Sequence, residues 1–461
     1  MIRSRVNLTE GPIFSRLMTF AMPIFLGTIV NQMYNVADSM IVGHFVSKDA
    51  LAAVSAGAPV MSIIMLFFVG MSSGACVVVA QRSGAGDKTA LQKAVGTVAF
   101  MTLAGSVCLT AFGLSVCKPL LKMLGTPVGI LDDTFRYLVV IFVCTTGNMV
   151  YQMGSGVLQG MGDSTWPFLF LLGCSILNVA LDLVAVLVLH LGVTGVAAAT
   201  GISQTVSGIG VVFRLHRGGY GISLSPRRLR PDPGETQRIL TIGLPAAIQN
   251  VGNTVAALFV QSSVNFFGAS FIAANSIVTK VDDLVSIPIM ALSTALCTFV
   301  AQNMGQLRLE RIRKGTNLCI LFLTGVGAGL CVLLLALRGQ FPKLFSADRE
   351  VIGYASEGLF IMSFMCLFFG VDRCLVNTMR GAGKAVVPMV TAQFGAFSRI
   401  PLAYYLGVKA NDFHGIFYAL LIAAFLRMAA IAIYFYGGGW NRAVAAFERR
   451  RQGQEEHHER F

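Results

Sequence analysis

Twelve apolar runs dominate this chain, at roughly 15–45, 52–79, 94–117, 134–158, 166–189, 193–213, 238–266, 281–303, 315–337, 351–378, 386–407 and 415–436. Each is long enough to cross about 30 Å of hydrocarbon as a helix. Backbone polar groups in lipid have no water to bond, so such runs are held to helices that satisfy them internally. Composition agrees: of 461 residues 55% are hydrophobic and 12% charged, where a soluble domain carries about twice that share of charge. The chain reads as an all-α polytopic membrane protein. Its first run follows a polar, basic start and continues without an A-x-A cleavage site, so it reads as a first span rather than a removed signal peptide. The first, seventh and tenth runs are longer than a straight crossing needs, which predicts tilt or bending. Pro23 and Pro245, early in the first and seventh, supply a cause.

The net charge of +13 does not point to nucleic acid. The basic residues fall in short loops between apolar runs and carry no interleaved aromatic platform. With twelve crossings both termini share one side. That side takes Arg3, Arg5 and Arg16, the loops after the second, eighth and tenth runs, the central loop from Arg214 to Arg238, and the tail from Arg442 to Arg460. It holds the large majority of loop Lys and Arg, which predicts that both termini are cytoplasmic and that the membrane is the inner, plasma membrane. The ten cysteines lie within or at the ends of apolar runs with no C-x2-C pair, so they read as buried, inert thiols and not a zinc framework.

The chain also repeats itself. At an offset of about 221 residues AQRSGAGDKTAL (80–91) meets AQNMGQLRLERI (301–312), and Gly160, Gly162 and Pro167 meet Gly381, Gly383 and Pro388. At 222, Pro23 meets Pro245 and Asn31 meets Asn253. Six spans per unit is an even number, so the expected architecture is two six-helix lobes related by a pseudo-two-fold along the membrane normal. The expected division is 1–213 for the first lobe, 214–237 for a cytoplasmic linker, 238–440 for the second lobe and 441–461 for a cytoplasmic tail. Two like lobes make a cleft that rocking exposes to each side in turn, which predicts a transporter.

Ionisable groups inside spans are costly and default to functional candidates. Asp38 in the first helix follows Tyr34 by four residues, and Asp182 in the fifth follows Asn178 by four, so each pair shares a helix face. With Thr200 in the sixth helix, Asp38 and Asp182 lie at one expected depth, roughly 10–12 Å below the outer surface at 1.5 Å per residue. An oxygen-rich set of this kind takes a shared proton or a hard cation such as Na+, the latter at Asp38, Asn178 and Asp182. The bland alternative is that each acid snorkels or pairs with a base on another helix. The second lobe has no matching acids: Val260, Arg399 and Ala403 stand at the positions of Asp38, Asn178 and Asp182. Arg399 reads equally as a contact for an anionic group or as a helix brace. Asp372 and Arg373 read as a local pair or a cavity wall, the structural role being favoured, and Asp282 and Asp283 as acids capping the start of the eighth helix. Asn31, Gln152, Asn253 and Arg399 are candidates to line a substrate cavity, with helix–helix hydrogen bonding open for the asparagines.

LTEGPIFSRLMTFAMPIFLGTIVNQMYNVADSMIVG, the AQ-x-x-GAGD loop, LQGMGDSTWP and the RGAGK loop resemble the multidrug and toxic compound extrusion (MATE) family, and within it the bacterial DinF-type branch. The likeness spans residues 10 to about 440. It implies a twelve-helix, two-lobe antiporter that expels drugs and organic cations against an H+ or Na+ gradient. It also implies a first-lobe cation site at Tyr34, Asp38, Asn178, Asp182 and Thr200. Where other branches carry a glutamate on the seventh helix this chain has Asn253, which argues against coupling of that kind in the second lobe.

The expected partners are the lipid bilayer and small amphipathic, cationic drug-like substrates; the expected assembly is a monomer. No cofactor and no catalytic activity are expected, because HExxH and Walker-A motifs are missing from the sequence. The alternative within the superfamily is a lipid-linked sugar or polysaccharide flippase, whose mark would be several interior cations; Arg399 is the one that stands out.

Overall fold

A computed structural model describes residues 5–45, 48–123, 128–225 and 228–459. Arg3, Arg227 and Arg460, among the loop cations, lie outside the described residues. The apolar runs fold as helices α1 (Ile13–Phe45), α2 (Lys48–Ala85), α3 (Lys88–Met123), α4 (Val128–Gly160), α5 (Thr165–Leu183), α6 (Gly192–Arg217), α7 (Pro233–Asn265), α8 (Ala269–Gly305), α9 (Leu309–Leu337), α10 (Arg349–Ser363), α11 (Met365–Gly381), α12 (Val386–Ala403), α13 (His414–Tyr434) and α14 (Trp440–Glu459). Among the described residues nine helices are long and apolar enough to cross a membrane, and α10 with α11 makes a tenth, broken span. The two remaining crossings are less apolar: α7 carries Gln249, Asn250, Asn253 and Gln261, and α12 carries Arg399. Large apolar side chains such as Val107, Phe112, Leu321 and Ile433 face outward, as lipid contact requires.

One departure from the sequence reading stands out. The eighth helix starts at Ala269, so Asp282 and Asp283 lie well inside it and cap nothing. Pro23 and Pro245 sit inside helices that continue past them. The tenth span bends as expected, by 47° between Ser363 and Met365. The tail from 441 is helical as α14.

The chain divides into two compact units, one comprising 1–8 and 19–247 and the other 9–18 and 248–461. In the first, Tyr220 Oη donates to Asp163 Oδ2 at 2.5 Å and Arg82 pairs with Glu235, tying the α4–α5 turn and the start of α7 to their neighbours. In the second, Arg308 donates to the Thr9 carbonyl at 2.6 Å.

The internal repeat is written into local geometry. A Cβ on Gly160 would stand 2.7 Å from the Cys76 carbonyl and 3.0 Å from Val79 Cβ; on Gly381 it would stand 2.6 Å from the Cys297 carbonyl and 2.9 Å from Val300 Cβ. Both glycines admit the same backbone. Gly162 and Gly383 turn with φ +89° and +83°. α5 runs on into a π turn, Val184–Val188, and α12 into another, Tyr404–Val408. His190 (φ 51°) and Asn411 (φ 53°) then take the left-handed conformation in each unit. The position of Gly86 (φ 74°) is held in the second unit by Leu307 (φ 56°), which meets it without glycine's freedom.

Candidate functional site

Four-residue spacing puts Asn178 and Asp182 on one face of α5, and both are fully buried. The Asp182 carboxyl lies within hydrogen-bonding reach of the Asp38 carboxyl on α1. In the amide orientation that satisfies both of its ends, Asn178 donates to Asp182 Oδ2 at 2.9 Å and accepts from the Thr200 backbone N–H at 3.2 Å. The Tyr34 phenol bonds the Thr200 side chain. All five residues expected in the first-lobe set therefore meet. The apolar side chains of Ile41, Val186 and Val196 pack together beside them, and the π turn that ends α5 starts two residues after Asp182. Breaks of that kind recur at functional positions.

Among the described residues the carboxyl pair has no base. Asp38 Oδ1 and Asp182 Oδ1 are buried and accept no hydrogen bond among the described residues. Two facing carboxylates repel each other, and the pair is stable only with a proton or a cation shared between them. The groups around the acids are mostly oxygen, a hydroxyl and a phenol beside the two carboxyls, with the Asn178 amide N–H turned to Asp182, and such a set suits a proton or a hard cation. Sequence reasoning missed Tyr137. It lies on α4, in electrostatic range of both acids, and no motif or same-helix spacing marks it.

The remaining candidates are scattered. Asn31 is exposed. Gln152 is half-buried, and its carbonyl accepts from Ser72 Oγ at 2.6 Å. In the second lobe Arg399 donates to the carbonyls of Ala396 (3.0 Å) and Asn253 (3.1 Å), so it does brace α12 against α7. Asp372 does not pair with its neighbour Arg373. It takes a bidentate pair from Arg427 on α13, with Nε at 3.0 Å and Nη2 at 2.6 Å. Adjacent residues on a helix point about 100° apart and cannot close such a pair. Gly395 makes room for it, since a Cβ there would stand 2.7 Å from Arg427 Cβ. Of the cysteines, seven are buried and Cys108 is exposed, and none is bonded to another.

Many apolar spans, with charged side chains gathered inside them, define a multi-pass membrane protein. Comparison with known sequences narrows this. The sequence profile of the family described as MatE matches twice, over residues 23–184 and 245–405, one match in each half. The chain belongs to the MatE family. It is 27% identical over 406 residues to "Probable multidrug resistance protein YoeA" of Bacillus subtilis (strain 168), covering 86% of this chain and 88% of that one. It is 24% identical to "Probable multidrug resistance protein NorM" of Thermotoga maritima, covering 94% of each. A crystal structure of MATE in the bent conformation superposes with a TM-score of 0.87 at 21% identity, covering 96% of this chain and 98% of that one. The fold is thus that of the MATE transporters, with twelve transmembrane helices in two lobes.

Proposed function

We propose that this protein is a secondary active multidrug efflux antiporter of the inner membrane, exporting drug-like amphipathic compounds in exchange for H+ or Na+ by alternating access. The observation that carries the coupling role is the base-free pair Asp38–Asp182, buried within α1 and α5. A coupling ion must be bound and released, and a carboxyl couple with no permanent counter-charge depends on such an ion for neutrality. Asn178 holds Asp182 in place through its amide N–H, and Thr200, Tyr34 and Tyr137 bring further oxygens near the acids. Capture of the ion neutralises the couple, which relaxes the repulsion between α1 and α5. That changes the relative stability of the transporter's two states, as any ion with unequal affinity for them must. The loop cations support an orientation with both termini cytoplasmic. The monomer needs no partner chain to complete this set of residues.

The test is dye efflux from everted vesicles with a Na+ gradient or a pH gradient imposed separately. Efflux driven by one of them, and lost when that gradient is collapsed, is the expected result. Transport indifferent to both gradients would sink the reading.

A further inference from the structure

The interior of the second lobe is rich in guanidinium groups that its carboxylates do not balance. Arg373, Arg399 and Arg427 lie on three packed helices, α11, α12 and α13. Arg427 is in electrostatic range of both of the others. Among the described residues Arg427 alone of the three is closed by a carboxylate, that of Asp372. Arg399 binds backbone carbonyls alone. The Arg373 side chain makes no hydrogen bond among the described residues; its Nε is buried and unpartnered, and its guanidinium stands 4.6 Å from the Phe369 ring centroid. The remaining acid that faces it, Asp282 on α8, is in electrostatic range but beyond the 4 Å of an ion pair. Arg373 and Arg399 nevertheless keep partial exposure. A buried guanidinium without a counter-ion is among the costliest groups in a membrane interior. Its fork of donors fits a carboxylate or phosphate in bidentate fashion.

We propose that Arg373, Arg399 and Arg427 form a binding site for the carboxylate or phosphate of an anionic or zwitterionic solute. Arg373 supplies free donors and Arg399 a second charge. Arg427, held by Asp372, fixes the spacing and adds positive potential, and Phe369 offers an apolar flank for an aromatic body. The site goes beyond the efflux reading by asking for a negative group on the transported molecule. It is tested by equilibrium binding, which needs no ion gradient and fails or succeeds independently of coupling.

The probe is 5-carboxyfluorescein, with fluorescence polarisation read on the full-length protein in neutral detergent. Wild type is expected to bind it, and Arg373→Gln and Arg399→Gln each to weaken binding roughly ten-fold, as loss of a charge-assisted bidentate contact should. Arg373→Lys keeps the charge and should recover part of the loss, which separates charge from folding. Ethidium binding should be unchanged in the two Arg373 variants. Competition by inorganic phosphate and by phosphatidylglycerol, added separately, distinguishes a free anion from a lipid headgroup as the natural source. No binding by wild type, or equal binding by every variant, overturns the proposal.

Discussion

The two lobes share their backbone down to single residues and oppose each other in buried charge. Gly160 and Gly381 meet the same carbonyl at 2.7 and 2.6 Å, and His190 and Asn411 take the same unusual φ. Yet the amide of Asn178, which serves Asp182, stands where the second lobe carries Arg399, and Gln152 stands where it carries Arg373. The first lobe holds a facing pair of acids with no base among the described residues. The second holds an acid closed by a base, with further bases close by. A helical scaffold thus fixes where side chains point without fixing their charge, and one architecture can be tuned for cations in one copy and anions in the other.

The comparison breaks first, if it is wrong, at the acids. Asp38→Asn or Asp182→Asn should abolish gradient-driven dye efflux in vesicles while leaving the protein folded, because a neutral amide cannot exchange an ion. Neither change should lower thermal stability in detergent, since each removes a charge from a repelling pair. The second lobe should behave in the opposite way. Arg427→Met leaves Asp372 buried and alone, and should cost about 3–5 kcal/mol; adding Asp372→Leu should restore most of it. Equal thermal shifts for the single and double variants would show that the pair is not coupled.

A smaller effect probes the shared frame. Gly160→Ala and Gly381→Ala both force a methyl against a backbone carbonyl and should each cost about 1–3 kcal/mol, matching one another within error in a denaturation series. The smallest effect lies at the turn after the second and eighth helices. A Cβ at Gly86 meets nothing within 4 Å, so Gly86→Ala should cost about 1 kcal/mol from conformation alone. Leu307→Gly, at the matching position, should gain about as much or slightly less. Shifts of the same sign for the two would show that these turns are not equivalent.

Much of this was readable in the sequence, for physical reasons. Lipid imposes hydropathy so strongly that each of the twelve runs coincides with a helix, or with the broken pair α10–α11. The five first-lobe residues were legible because pairs four apart share a face. What escaped depends on contacts between helices. Arg427 lies 55 residues from Asp372, and Tyr137 reaches the acids from α4 with no local signal. The start of α8 was placed too late because ASFIAANSIVTK reads as polar, although a helix can extend beyond the hydrocarbon. The 47° break near Phe364 has no proline or glycine beside it to announce it.

The Asp372–Arg427 pair also has an electrical consequence. Its charges sum to zero, so the transmembrane field exerts no net pull on it as long as α11 and α13 carry it together. The couple on α1 and α5 is different, because its charge depends on what it has captured. Each elementary charge carried across 100 mV is worth about 2.3 kcal/mol. Voltage can therefore do work on the first lobe through the occupancy of Asp38 and Asp182, while the sealed pair of the second lobe is electrically silent.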